Sequence, residues 1–169
     1  MTTHFERLGL PGRFDLSTPD LEAAYLRLSR EVHPDFHGNS GDLDRNASNE
    51  LSSSLNEAYA VLRDPFRRAD YLLTLLGGPA ASELKDMPKA FLMDMMDLRE
   101  QLEAAKNDAE RGPLEDDISG RQRELLRTIS ALFAKMQESS MPQTGADIRR
   151  SLNAGKFLSG LMRDLRNSG

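Results

Sequence analysis

The 169-residue sequence has no cysteine and no tryptophan. Without thiols the chain can form no disulfide, thiolate metal site or cysteine nucleophile, and metal chemistry through sulfur is excluded. Aromatic residues make up 6% of the chain, too few for the stacking platforms of single-strand nucleic-acid binders. Nor is there a surplus of positive charge. The net charge is -5, and residues 1–75 contain eight arginines, no lysine and twelve acids. Displacing counterions from phosphates needs the opposite balance, which argues against general nucleic-acid binding. No apolar run is long enough to span a bilayer, and no basic segment followed by an apolar one opens the chain. We therefore expect a cytoplasmic protein with neither membrane nor nucleic acid as partner. Strand alternation, internal repeats and low-complexity tracts are missing too, which leaves an all-α reading.

What is present is helical periodicity. Phe5, Leu8 and Leu10 mark a short helix over 4–10, ended by Gly9, Pro11 and Gly12. Ser17, Thr18 and Pro19 predict the start of a second helix, 19–32, with Leu21, Tyr25, Leu28 and Val32 on its apolar face. A third, 43–63, carries the seam Leu43, Ala47, Leu51, Leu55, Ala58 and Leu62, which should bury against the second in an antiparallel hairpin. Asp64-Pro65 interrupts this seam, and a fourth helix over 66–76 ends at Gly77-Gly78-Pro79. Residues 77–86 are then the expected linker between a domain at 1–76 and a three-helix bundle at 87–169. The bundle helices are predicted over 88–110, 114–139 and 146–167, with breaks at Gly112-Pro113 and at Met141-Pro142 with Gly145. Their seams are Phe91, Met95, Leu98, Leu102, Ala105 and Ala109; then Ile118, Leu125, Ile129, Leu132 and Met136; then Ile148, Leu152, Leu158, Met162 and Leu165.

The second helix closes on Glu31-Val32-His33-Pro34-Asp35 and runs into a loop with Gly38, Asn39, Ser40 and Gly41. Pro34 lacks an amide hydrogen and disfavours helical angles at His33, so the chain should leave extended and present His33 and Asp35 on an exposed bend. His33 and His37 share the spacing of a helical zinc motif. Pro34 prevents the helix that would align them, however, and no third ligand is evident, so neither metal nor cofactor is expected. No pairing of nucleophile with base and no phosphate-cradling glycine loop points to an enzyme.

The order of these motifs carries a resemblance. A short helix, a helix ending in His33-Pro34-Asp35, and a helix containing Asn56-Glu57-Ala58-Tyr59 before Leu62-Arg63-Asp64-Pro65 are similar to a J-domain. The continuation Arg68-Ala69-Asp70-Tyr71-Leu72-Leu73, then Phe91-Leu92-Met93-Asp94 and Asp97-Leu98-Arg99-Glu100, resembles the HscB-type co-chaperones of iron-sulfur cluster assembly. The resemblance implies that His33, Pro34 and Asp35, with Arg27 and Arg30, bind a DnaK-type (HscA-like) chaperone and stimulate its ATPase. It also implies that Leu92, Met93, Met96, Asp97, Glu100 and Phe157 hold the iron-sulfur scaffold protein (IscU-like). Two positions depart from the pattern: Phe36 stands where a lysine often follows His-Pro-Asp, and Ala104 where the acidic border would extend.

The bundle's own pattern agrees with a binding face. Leu92, Met93 and Met96 lie off the seam of Phe91, Met95 and Leu98, so they are surplus to burial in three helices. They either form an exposed apolar patch bordered by Asp97 and Glu100, or cover the neighbouring domain. A J-domain adaptor for a different client is the alternative function.

Overall fold

The structure, a computed structural model, describes residues 2–32, 42–138 and 142–167. Among the described residues it contains seven α-helices and no strand: α1 (His4–Arg7), α2 (Thr18–Val32), α3 (Asp42–Arg63), α4 (Pro65–Leu75), α5 (Lys89–Ala104), α6 (Asp108–Glu138) and α7 (Pro142–Asn167). The chain divides into two compact units, 1–72 and 73–169.

In the first unit, α1 opens with a capping box: the Thr3 hydroxyl accepts from the Glu6 amide at 3.2 Å, and the Glu6 carboxylate accepts from the Thr3 amide at 2.8 Å. The helix stops at Arg7 rather than reaching residue 10, because Gly9 takes φ +65° and turns the chain. Phe5 and Leu8 are buried, α1 and α2 both pack on α3, and Leu21, Leu55, Ala58 and Leu62 lie in the same unit's core. Tyr25 and Tyr59 stack at 4.1 Å, and the Tyr25 hydroxyl donates to Asn56 Oδ1 at 2.8 Å, so Asn56 and Tyr59 tie α3 to α2. The seam predicted for α3 is buried only in part, since Leu51 is 57% exposed and Ala47 is exposed; the side chain of Leu43 lies outside the described residues. Two helices leave the flanks of a seam in water, and full burial comes where a third element joins.

Asp64 does not merely break the pattern. Its Oδ1 accepts from the amides of Phe66 and Arg67 at 2.9 and 3.0 Å, capping α4 with Pro65 at the first helical position. The other end of α4 is a Schellman motif: Gly77 has φ +73°, its amide donates to the Thr74 carbonyl, and the Gly78 amide donates to the Leu73 carbonyl at 2.9 Å. Phe14, from the turn before α2, is buried and lies under the Arg68 guanidinium, which also donates to the Leu62 carbonyl at 2.7 Å.

In the second unit α5, α6 and α7 pack pairwise around Met95, Leu98, Ile118, Leu158, Leu161, Met162 and Leu165. The breaks differ from those predicted. α5 ends at Ala104, and Asn107 caps α6 by accepting from the Glu110 amide at 3.1 Å. Gly112 and Pro113 therefore lie inside α6, and Ala109, assigned to the α5 seam, is an exposed residue of α6. Pro113 falls in the second turn of α6, where it gives up one intrahelical hydrogen bond without ending the helix. Similarly α7 begins at Pro142, four residues early, with Gly145 buried in its first turns rather than breaking it. Along α6 the deep positions are Ile118, Ile129 and Phe133, whereas Leu125, Leu132 and Met136 are half-buried.

The segment 77–86, expected to be a linker, is fastened to α7. Arg149, itself buried, donates through Nε to the Pro79 carbonyl at 2.7 Å, and the Asn153 amide donates to the carbonyls of Leu84 and Asp86, both at 2.9 Å. Arg150 pairs with Asp86 at 2.8 Å, and this hydrogen bond holds the Asp86 carboxyl below its usual range. Gly145 suits the crossing, since it lies against Pro79 and Gly78.

Candidate partner-binding surface

α5 has 16 residues, about 24 Å of helix. One side of it is core: Met95 and Leu98 are buried, and Phe91 and Leu102 pack partly buried against the same cluster. The other side carries Leu92, Met93 and Met96, which are 42%, 74% and 74% exposed. Residues three and four apart are neighbours on a helix, so these three form one patch, continued by Asp97 beside Met93 and by Glu100 beside Met96. Within the second unit the patch is not part of the bundle core.

The electrostatics of the same helix separate two kinds of acid. Asp94 is engaged by Arg121 at 3.4 Å, which also holds Asp117, and Glu103 is engaged by Arg99 at 3.4 Å. The side chains of Asp97 and Glu100 make neither ion pair nor hydrogen bond among the described residues, and both are exposed beside the apolar patch. α5 ends at Ala104, where a further acid would have lengthened the border.

Phe157 reaches the region from α7. Its ring meets Phe91 edge-on, at 6.3 Å and 84°, and it is half-buried against the bundle core. It is therefore part support and part surface. It also lines a notch of about 300 Å³ with Ala81, Lys85, Met87, Asn153 and Lys156. The sequence reading missed this notch, although Asn153, Lys156 and Phe157 have the three-and-four spacing of one helix face.

In the first unit, Arg27 and Arg30 are exposed on α2; Arg27 pairs with Glu31 at 3.4 Å, and Arg30 makes no ion pair among the described residues. His33, Pro34, Asp35 and Phe36 lie outside the described residues. Among the described residues no group of three or more histidines and acids is placed to hold a metal, and no helix is long and apolar enough to cross a membrane.

Comparison with known proteins assigns both units. Residues 3–71 match the DnaJ domain, and residues 87–162 match the HSCB C-terminal oligomerisation domain. A Co-chaperone protein HscB homolog of Burkholderia thailandensis is 38% identical over 154 residues, covering 89% of this chain and 86% of the relative. The chain belongs to the HscB co-chaperone family. An HscB homolog of Ralstonia nicotianae is 37% identical over 135 residues, 78% of this chain and 77% of its own length. Among solved structures, chaperone HscB from Vibrio cholerae superposes with a TM-score of 0.77 at 29% identity, covering 98% of this chain and 96% of that one. Human co-chaperone protein HscB gives 0.83 at 24% identity over 98% of this chain and 81% of its own, a likeness of fold. The motif order of a J-domain followed by an HscB-type bundle is thus the family's order.

Proposed function

We propose that this HscB-family co-chaperone stimulates the ATPase of a DnaK-type, HscA-like chaperone through His33, Pro34 and Asp35, together with Arg27 and Arg30. We further propose that it delivers an IscU-like iron-sulfur scaffold held on Leu92, Met93, Met96, Asp97, Glu100 and Phe157. In this reading residues 1–76 act as the J-domain, 87–169 as the client-binding bundle, and the protein works in the cytoplasm without an active site of its own. The observation that carries it is the exposed apolar patch on α5 beside two acids that make no ion pair among the described residues. Burying such a patch on a client recovers about 25 cal/mol for each Å² of apolar surface removed from water. Stimulation is differential binding: the loop lowers the chaperone's barrier only by docking better to the conformation that hydrolyses ATP. Holding client and chaperone together raises the effective concentration of one near the other.

The test has two arms. Wild type and His33→Gln are compared for stimulation of the chaperone's ATPase, with and without scaffold; equal stimulation by both removes the loop from the mechanism. The scaffold is then titrated against wild type and a Leu92→Ala/Met96→Ala/Phe157→Ala variant, and an unchanged Kd moves the client elsewhere. A second reading is favoured by the matched domain's description as an oligomerisation domain: the α5 patch would pair copies of the chain. Sedimentation of wild type and Met93→Glu/Met96→Glu separates the two, because only self-association makes the wild-type mass depend on concentration.

A further inference from the structure

The notch beside Phe157 is unlike the α5 face in charge. Two of the chain's five lysines, Lys85 and Lys156, line it; both are exposed, and neither has an ion-pair or hydrogen-bond partner among the described residues. The acid next to Lys85 in sequence, Asp86, is taken up by Arg150 at 2.8 Å. The remaining lining is mostly apolar, from Ala81, Met87 and Phe157, with Asn153. Its rim is fixed, because the Asn153 amide holds the carbonyls of Leu84 and Asp86 on either side of Lys85. Phe157 is shared: its ring meets that of Phe91 of α5 at 6.3 Å, and it also lines the notch.

Two ammonium groups without an ion-pair partner among the described residues, beside an apolar lining, fit a carboxylate adjoining an apolar side chain. We infer that the client surface continues past Phe157 into this notch, and that the notch receives an acidic, partly apolar segment of the same scaffold protein that covers Leu92 and Met96. This inference rests on the proposed function. The occupant follows from charge complementarity and from continuity through Phe157. The surface would then be bipolar, with Asp97 and Glu100 at one end and Lys85 and Lys156 at the other. Such an arrangement fixes the direction in which a client lies, since reversal sets like charges together.

The experiment titrates purified scaffold against full-length wild type, Lys85→Gln/Lys156→Gln, Lys85→Glu/Lys156→Glu, Lys85→Arg/Lys156→Arg and Leu92→Ala/Met96→Ala, each at low and high salt. Matching melting curves verify folding, which exposed lysines should not disturb. The arginine pair is expected to bind like wild type and the glutamate pair about tenfold more weakly. The glutamine pair should fall between, with a salt dependence that differs from the wild type's by the loss of two attractive contacts. If Leu92→Ala/Met96→Ala weakens binding while all the lysine variants match wild type at both salt concentrations, the notch plays no part and only this inference falls. If Leu92→Ala/Met96→Ala also binds like wild type, or wild type does not bind, the proposed function falls and takes the inference with it.

Discussion

Met96 and Phe157 both belong to the proposed client surface, yet the structure gives their removal different consequences for stability. Met96 is 74% exposed, so Met96→Ala forfeits little buried area, and alanine's better helix propensity offsets part of that. The expected change is below about 0.5 kcal/mol. Phe157 is half-buried on the bundle core and meets Phe91 edge-on. A fully buried Phe→Ala change costs about 3–5 kcal/mol, and an aromatic pair contributes about 0.5–1.5 kcal/mol. Half of the first figure, with the ring contact included, puts Phe157→Ala at about 2 kcal/mol. For a chain of this length that lowers Tm by roughly 4–8 °C. Thermal melts and scaffold titration on the same samples measure both effects. Met96→Ala should weaken binding with Tm unmoved, and Phe157→Ala should change both. A Met96→Ala protein melting several degrees low, or a Phe157→Ala protein melting with the wild type, would refute the division between surface and support.

The glycines around the end of α4 should not behave alike. Gly77→Ala puts a side chain at φ +73° and should cost about 1–2 kcal/mol; Gly78→Ala drives its Cβ into the buried Leu73 side chain and should cost about 1–3 kcal/mol. Gly145→Ala meets Pro79 Cδ at 3.6 Å, Gly78 Cα at 3.8 Å and Leu73 Cδ1 at 3.9 Å, all ordinary contacts, and should stabilise the helix by up to about 1 kcal/mol; equal urea midpoints for the three would contradict this. Asn153→Ala loses both bonds to the 84–86 carbonyls and should cost about 1–2 kcal/mol, with faster hydrogen exchange in 80–87 as the local signature. Burial lowers the His4 pKa below 6.5 in the folded chain, with Arg7 adding to the shift and Glu57 opposing it. The unfolded chain therefore binds more protons just below pH 6.5, so the stability tied to neutral His4 is complete above 6.5 and declines as pH falls through the folded value. His4→Phe, which keeps a ring against Tyr71, should remove that part of the decline; parallel stability curves for the two proteins from pH 5 to 8 would exclude it.

Most of the helices were legible because burial in a helical protein is periodic. Leu21, Leu55, Ala58, Leu62 and all five residues assigned to the α7 seam are indeed inward. The errors cluster where a break was read from glycine or proline alone. Gly112-Pro113 and Gly145 are helical, while the real interruption before α6 is marked by Asn107, an ordinary residue until its carbonyl caps an amide. Gly145 lies against a segment more than sixty residues away in the sequence, and no local pattern reports such a crossing. The same holds for Arg149 and Asn153, whose backbone partners lie at Pro79, Leu84 and Asp86. The result is that residues of the expected linker are hydrogen-bonded to a helix face.

The candidate site divides along the same line. Leu92, Met93 and Met96 could be recognised because they exceed what one seam can bury, and surplus within a single helix is a local property of sequence. The charge contrast between Asp97 or Glu100 and the neighbouring acids could not, because Asp94 is engaged from α6 by Arg121 and that pairing exists only once the helices are packed. Lys85 and Lys156 are farther still from any shared pattern, and it is the Asn153 bonds that bring a segment before α5 to the face of α7. A client surface of this kind has an apolar centre that can be read from periodicity and a charged perimeter that depends on tertiary contacts. Charges at such a perimeter contribute mainly to orientation and association rate, and the buried centre contributes most of the affinity. Two relatives with the same apolar residues on α5 but different partners for Asp94 and Asp86 should therefore hold clients with similar strength and differ in which client, and in which direction, they accept.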